Sequence, residues 1–133
     1  MIEWKEEYST GFVSLDAQHR ILFRYVNELE KMIQGEEPKT EARFSNTLDF
    51  LESYCRQHFA HEEQCMAERK CPVAAQNKMA HEKFIEYFNV IKDRFKKEKL
   101  TDKIMIDVHK ATQDWLVHHI CRIDVALKKT FVN

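Results

Sequence analysis

Glycine and proline are nearly missing from this 133-residue chain, which has two of each. Glycine-rich phosphate loops and proline-rich linkers are thereby excluded, and long uninterrupted helices become the expectation. No apolar run approaches the roughly 20 residues needed to span a bilayer, so no membrane partner is expected. Net charge is scarce too, with 21 Lys and Arg against 22 Asp and Glu. A chain without a basic surplus has no electrostatic footprint for nucleic acid. The opening stretch MIEWKEEYST lacks the basic flank and apolar core of a secretory leader, which points to a cytoplasmic protein. The four cysteines, Cys55, Cys65, Cys71 and Cys121, show no C-x-x-C spacing. They read as small buried apolar residues rather than as a zinc finger or a disulfide framework.

What is present is helical periodicity. One stripe runs His19, Leu22, Val26, Leu29, Ile33 and ends at Gly35, a natural C-terminal cap, with Pro38 just beyond. A second reads Phe44, Leu48, Leu51, Cys55, His58, Glu62, Cys65. The third follows Pro72, a favoured first-turn residue, as Ala74, Asn77, His81, Phe84, Phe88, Ile91, Phe95. The fourth is capped by Thr101 or Asp102 and carries Met105, Val108, Thr112, Trp115, His119. Short connections between long helices predict an all-α, up-down-up-down antiparallel four-helix bundle occupying 1–133 as one domain. Residues 1–15 are expected to form an irregular lead segment, packed on the bundle by Trp4, Tyr8 and Phe12. Charged outer faces, including Lys96, Lys97 and Lys99, suit a monomer.

Polar residues interrupt these stripes where Leu or Ile would be expected. His19, His58, Glu62, His81, His119 and Asp124 all stand at or beside core positions. An unpartnered buried imidazole or carboxylate costs several kcal/mol, comparable with a domain's whole stability margin, so the pattern calls for a shared partner. Antiparallel packing brings the late part of the second helix level with the early part of the third, and the candidates fall in one layer. Asp124 lies about 140° around an ideal helix from His119, so a π-bulge or a helix break is needed to bring both to one site. Imidazole with carboxylate suits iron or manganese, with zinc possible, and two carboxylates from different helices could bridge a metal pair. Phe59, Phe84, Leu116 and Ile120, with Trp115 close by, would form an apolar wall.

The motifs as a set are LDAQH at 15–19, HFAHEE at 58–63, HEKF at 81–84 and WLVHHICRID at 115–124. With the lead Trp4 and the Cys71–Pro72 turn, they make the chain resemble the hemerythrin family, in particular its single-domain bacterial branch, the bacteriohemerythrins. The resemblance implies a non-heme centre of two iron ions that binds dioxygen. His19 and His58 would serve the iron that receives oxygen, Glu62 and Asp124 would bridge, and His81 and His119 would serve the second iron. One position departs: the family pattern has a histidine four residues before His81, and this chain has Asn77.

Three functions follow as expectations. The first is oxygen carriage, storage or buffering, without catalysis. The second is a redox enzyme acting on peroxide, nitric oxide or oxygen through a metal position opened by Asn77. The third is an oxygen or redox sensor, which would need a separate output partner.

Overall fold

A computed structural model describes residues 1–122 and 124–131, the side chains of Arg122 and Phe131 excepted. Four helices account for most of it: α1 (Val13–Gln34), α2 (Glu41–Glu68), α3 (Ala74–Glu98) and α4 (Asp102–Arg122). A short 3-10 turn at Glu6–Tyr8 precedes them, and a 3-10 stretch at Asp124–Phe131 follows. No strand occurs among the described residues. The all-α four-helix bundle is as the periodicity predicts. The domain limit expected at Asn133 lies outside the described residues.

The helix ends follow local chemistry. Gly35 takes φ 79°, the left-handed conformation that lets its N–H reach back to the carbonyls of Lys31 and Met32. Thr40 caps α2 by accepting from the Arg43 N–H at 3.1 Å. Thr101 caps α4 in the same way, accepting from Ile104 N at 3.2 Å. One boundary differs from expectation: helix α1 begins at Val13 rather than after residue 15. Helix α3 starts at Ala74, after Pro72 as the sequence predicts, with Pro72 itself in the preceding turn rather than in the first turn of the helix.

Asp16 ties the lead segment to the first turn of α1. Its carboxylate accepts from Ser9 Oγ at 2.7 Å, Thr10 N at 2.8 Å and Thr10 Oγ1 at 3.0 Å. These bonds clamp the lead segment across the first turn of the helix and supply acceptors that the chain would otherwise lack. Tyr8 is buried edge-on against Phe23, and Trp4 lies under the Arg20 guanidinium at 4.0 Å.

Helix α1 packs on α2 and α4, and α2 packs on α3, while the α3–α4 seam is more open. Two apolar cores result. The larger includes Leu22, Val26, Leu48, Leu51, Phe84, Phe88, Met105 and Val108. The smaller gathers Leu15, Cys65, Met66, Cys71 and Leu127 near the α2–α3 turn. Of the cysteines, Cys55, Cys65 and Cys71 are buried and Cys121 is exposed, and all four are free. Between the two cores lies a layer of buried polar side chains.

Candidate metal centre

All six predicted ligands meet in that layer. Each is buried, with at most 4 % of its surface exposed, so none owes its position to solvent. His19 stands two turns into α1, one turn from Leu15 and one from Leu22, which anchor it from both cores. His58 and Glu62 share one face of α2 at a spacing of four. His81 comes from the early part of α3 and His119 from the late part of α4. The required irregularity is a break: α4 ends at Arg122, and Asp124 opens the 3-10 stretch that turns its carboxylate back toward His119.

The carboxylates are divided between two pairs of imidazoles. Glu62 Oε2 lies 3.3 Å from His19 Nε2 and 3.5 Å from His58 Nε2. Its other oxygen, Oε1, lies 3.1 Å from His81 Nε2 and 3.8 Å from His119 Nε2. Asp124 does likewise, with Oδ2 at 3.1 Å from His19 Nε2 and Oδ1 at 3.0 Å from His119 Nε2. Two four-donor groups emerge: His19, His58, Glu62, Asp124 and Glu62, His81, His119, Asp124.

His19 Nε2 and Glu62 Oε2 are buried without any well-aligned hydrogen bond. Orphaned donors of this kind, facing one another, fit a cation between them better than they fit a hydrogen-bonded core. The donor set itself, nitrogen with carboxylate oxygen and no thiolate, fits iron or manganese.

Sequence reasoning missed the groups that aim the rings. His58 Nδ1 donates to Gln18 Oε1 at 2.7 Å, and His61 Nδ1 lies 3.3 Å from the same oxygen. His81 Nδ1 donates to Glu63 Oε2 at 2.9 Å. Each bond leaves the Nε2 lone pair pointing into the layer, the arrangement that fixes a ligating imidazole. Gln18 precedes His19 and Glu63 follows Glu62, so adjacency to a candidate ligand was the available signal. His61 is half-buried and His118 exposed, as expected for residues beside the stripe.

Aromatic rings complete the second group. Phe59 stacks on His81 with centroids 3.8 Å apart, and Trp115 stacks on His119 at 4.4 Å. Phe84 stacks in turn on Trp115 at 4.0 Å. Phe59, Phe84, Leu116 and Ile120 are all buried, as the apolar wall requires. Phe59 and His81 reach a groove of about 300 Å³ between α2 and α3, and Phe84 and Trp115 one of about 440 Å³ between α3 and α4.

Asn77 is fully buried in the same layer. The inward terminal atom of its amide lies 2.7 Å from His119 Nε2. It is also 3.1 Å from Glu62 Oε1, 3.1 Å from His81 Nε2 and 3.3 Å from Asp124 Oδ1.

Charge is concentrated here. Burial opposes the protonation of His19 and His119, but the adjacent carboxylates of Asp124 and Glu62 outweigh it and push both imidazoles up to about 9. For Glu62, burial likewise opposes the charged form, and the four surrounding histidines hold the carboxyl well below its usual range. Burial prevails at His58, which is shifted down.

Comparison with known proteins agrees with this geometry. Residues 10–130 match the model of the hemerythrin HHE cation binding domain. The chain is 27 % identical over 121 residues to a bacteriohemerythrin of Stenotrophomonas maltophilia, covering 90 % of this chain and 74 % of that protein. It is 25 % identical over 126 residues to a myohemerythrin of Theromyzon tessulatum, covering 95 % and 90 % respectively. A crystal structure of wild-type hemerythrin superposes with a TM-score of 0.77 at 25 % identity, over 94 % of this chain and 93 % of the other. The chain belongs to the hemerythrin HHE cation-binding family.

Proposed function

We propose that this chain is a non-heme di-iron protein that binds dioxygen for carriage, storage or buffering in the cytoplasm. In this reading 1–133 is one domain, active as a monomer without nucleic-acid or membrane partners. Among the described residues no helix is long and apolar enough to cross a membrane. The observation that carries the proposal is the division of Glu62 and Asp124, each with one oxygen toward each imidazole pair. That is how two bridging carboxylates hold a metal pair.

His19 and His58 would hold one iron and His81 and His119 the other, with Glu62 and Asp124 shared. A ferrous pair, when bound, supplies the electrons that reversible dioxygen binding draws upon. The chain's own residues do the rest. Gln18 and Glu63 hold the rings in register. Phe59, Phe84, Leu116 and Ile120 keep water and protons away from the layer. The buried carboxylates offset the charge of the cations without help from solvent. The names of the relatives, bacteriohemerythrin and myohemerythrin, support the same reading.

The test is anaerobic loading with Fe²⁺, a count of metal per chain, and visible spectra before and after oxygen is admitted. Two irons per chain and an absorption band that vanishes on deoxygenation are expected. One iron per chain, or oxidation that deoxygenation does not reverse, would overturn oxygen carriage. Turnover of peroxide or nitric oxide in excess of metal would favour the redox enzyme, the reading that Asn77 in the layer suggests.

A further inference from the structure

We infer that Asn77 is itself a metal ligand, its amide oxygen completing the donor set of the cation held by His81, His119, Glu62 and Asp124. The inference rests on the di-metal reading above and adds a residue to it.

The argument is geometric. Around a six-coordinate cation with bonds of about 2.1 Å, neighbouring donors sit about 3.0 Å apart and opposite donors about 4.2 Å apart. The inward atom of Asn77 lies 2.7 to 3.3 Å from all four other donors, which makes it a neighbour of each. Three edges among those four also fit. His119 Nε2 is 3.1 Å from His81 Nε2 and 3.0 Å from Asp124 Oδ1, and His81 Nε2 is 3.1 Å from Glu62 Oε1. The pair His119 Nε2 and Glu62 Oε1 is wider, at 3.8 Å, as an opposite pair should be. Three edges and one diagonal thus fit a square of donors, over which Asn77 would stand as the apex.

Chemistry distinguishes the two ways of turning the amide. Turned NH₂ inward, its two hydrogens could reach at most two of the four atoms, and it would repel a cation. With its oxygen inward, it can accept from a protonated His119 in the metal-free fold and can face a cation when the imidazoles give up their protons. An amide buried completely at this point, on a helix whose neighbouring core positions are His81 and Phe84, has no apolar role to play. Among the described residues Asn77 is the only side-chain amide that is buried.

The experiment compares the parent chain with Asn77→Leu, Asn77→Ala and Asn77→Asp by equilibrium dialysis against graded Fe²⁺ without oxygen. Circular dichroism of each metal-free variant confirms the fold, and the smaller Asn77→Ala stands in if the leucine variant does not fold. The parent and Asn77→Asp are expected to take two irons per chain. The leucine and alanine variants should take one tightly and the second at least about tenfold more weakly, since even outer partners of metal ligands are worth 10- to 100-fold. Two equally tight irons in the leucine or alanine variant would overturn the assignment and leave the di-metal reading intact. Loss of the second iron in Asn77→Asp would also overturn it, because the amide would then be acting through its NH₂. Fewer than two irons in the parent would overturn the di-metal reading and this inference with it.

Discussion

The two halves of the centre share their carboxylates and differ in how their imidazoles are held. His19 and His58 meet edge to face at 4.5 Å, and a neutral amide, Gln18, orients His58. His81 and His119 lie flat against Phe59 and Trp115, and a carboxylate, Glu63, orients His81. A carboxylate behind an imidazole raises its basicity, whereas an amide only aligns it. The second half also contains Asn77, the one buried side-chain amide among the described residues. Identical ligand types on a shared bridge therefore do not make equivalent sites: the surroundings of each ring decide how strongly and how rigidly it binds.

Removing the bridge should abolish the distinction altogether. Glu62→Ala takes one oxygen from each half, and metal analysis after iron loading is expected to find both sites nearly empty. A variant that kept two irons would show that Asp124 bridges alone.

Removing one imidazole should isolate the halves. His58→Ala and His81→Ala are each expected to reduce the count from two irons toward one, with the survivor in the untouched half. Loss of both irons from either variant would mean that the halves load as a unit.

Smaller changes test the orienting groups. Glu63→Gln and Gln18→Ala should each weaken iron in their own half by about 10- to 100-fold without changing the helix content. The glutamate change is expected to be the costlier for redox behaviour, because it removes the charge behind His81 while leaving an acceptor for its N–H. Equal midpoint potentials in Glu63→Gln and the parent would show that the carboxylate does no more than the amide does.

A final prediction concerns protons. His19 and His119, one from each half, are raised from an ordinary value of 6.5 to about 9 in the metal-free fold. A group raised on folding stabilises fully below its unfolded value and loses that contribution as pH climbs through the folded one. The melting temperature of the metal-free chain should therefore fall between about pH 6.5 and 9. Replacing either histidine by glutamine should flatten part of that slope. A flat profile in the parent would mean that the two imidazoles are neutral in the metal-free fold.

Much of this arrangement is legible in the sequence because helices have a fixed period. A histidine at the position of a core leucine announces itself, and so His19, His58, His81 and His119 stand out, with Glu62 on the same stripe. Asp124 is legible only through its mismatch: its angle from His119 demands an irregularity, and Asp124 belongs to the 3-10 stretch rather than to α4. Other features are hidden for equally physical reasons. Gln18 and Glu63 flank candidate ligands on faces that look solvated, and their role depends on a ring from another helix. Asp16 reads as an ordinary first-turn acid until Ser9 and Thr10 fold back onto it. Val13 begins α1 ahead of the apolar stripe, which a reading from buried positions alone does not reach. The proline at 72 suggested a first-turn residue, yet it stands two residues ahead of the helix.

The placement of Asp124 beyond the end of α4 has a consequence for the life of the molecule. His19 and Asp124 come from widely separated stretches of the chain and meet in this layer at 3.1 Å. A cation gripped by both would act as a rivet, fastening the C-terminal 3-10 stretch to the opening helix. Whatever binds the folded chain and not the unfolded one adds its binding free energy to stability. Iron supply would then govern durability as well as activity, and a starved molecule would be the first to be degraded.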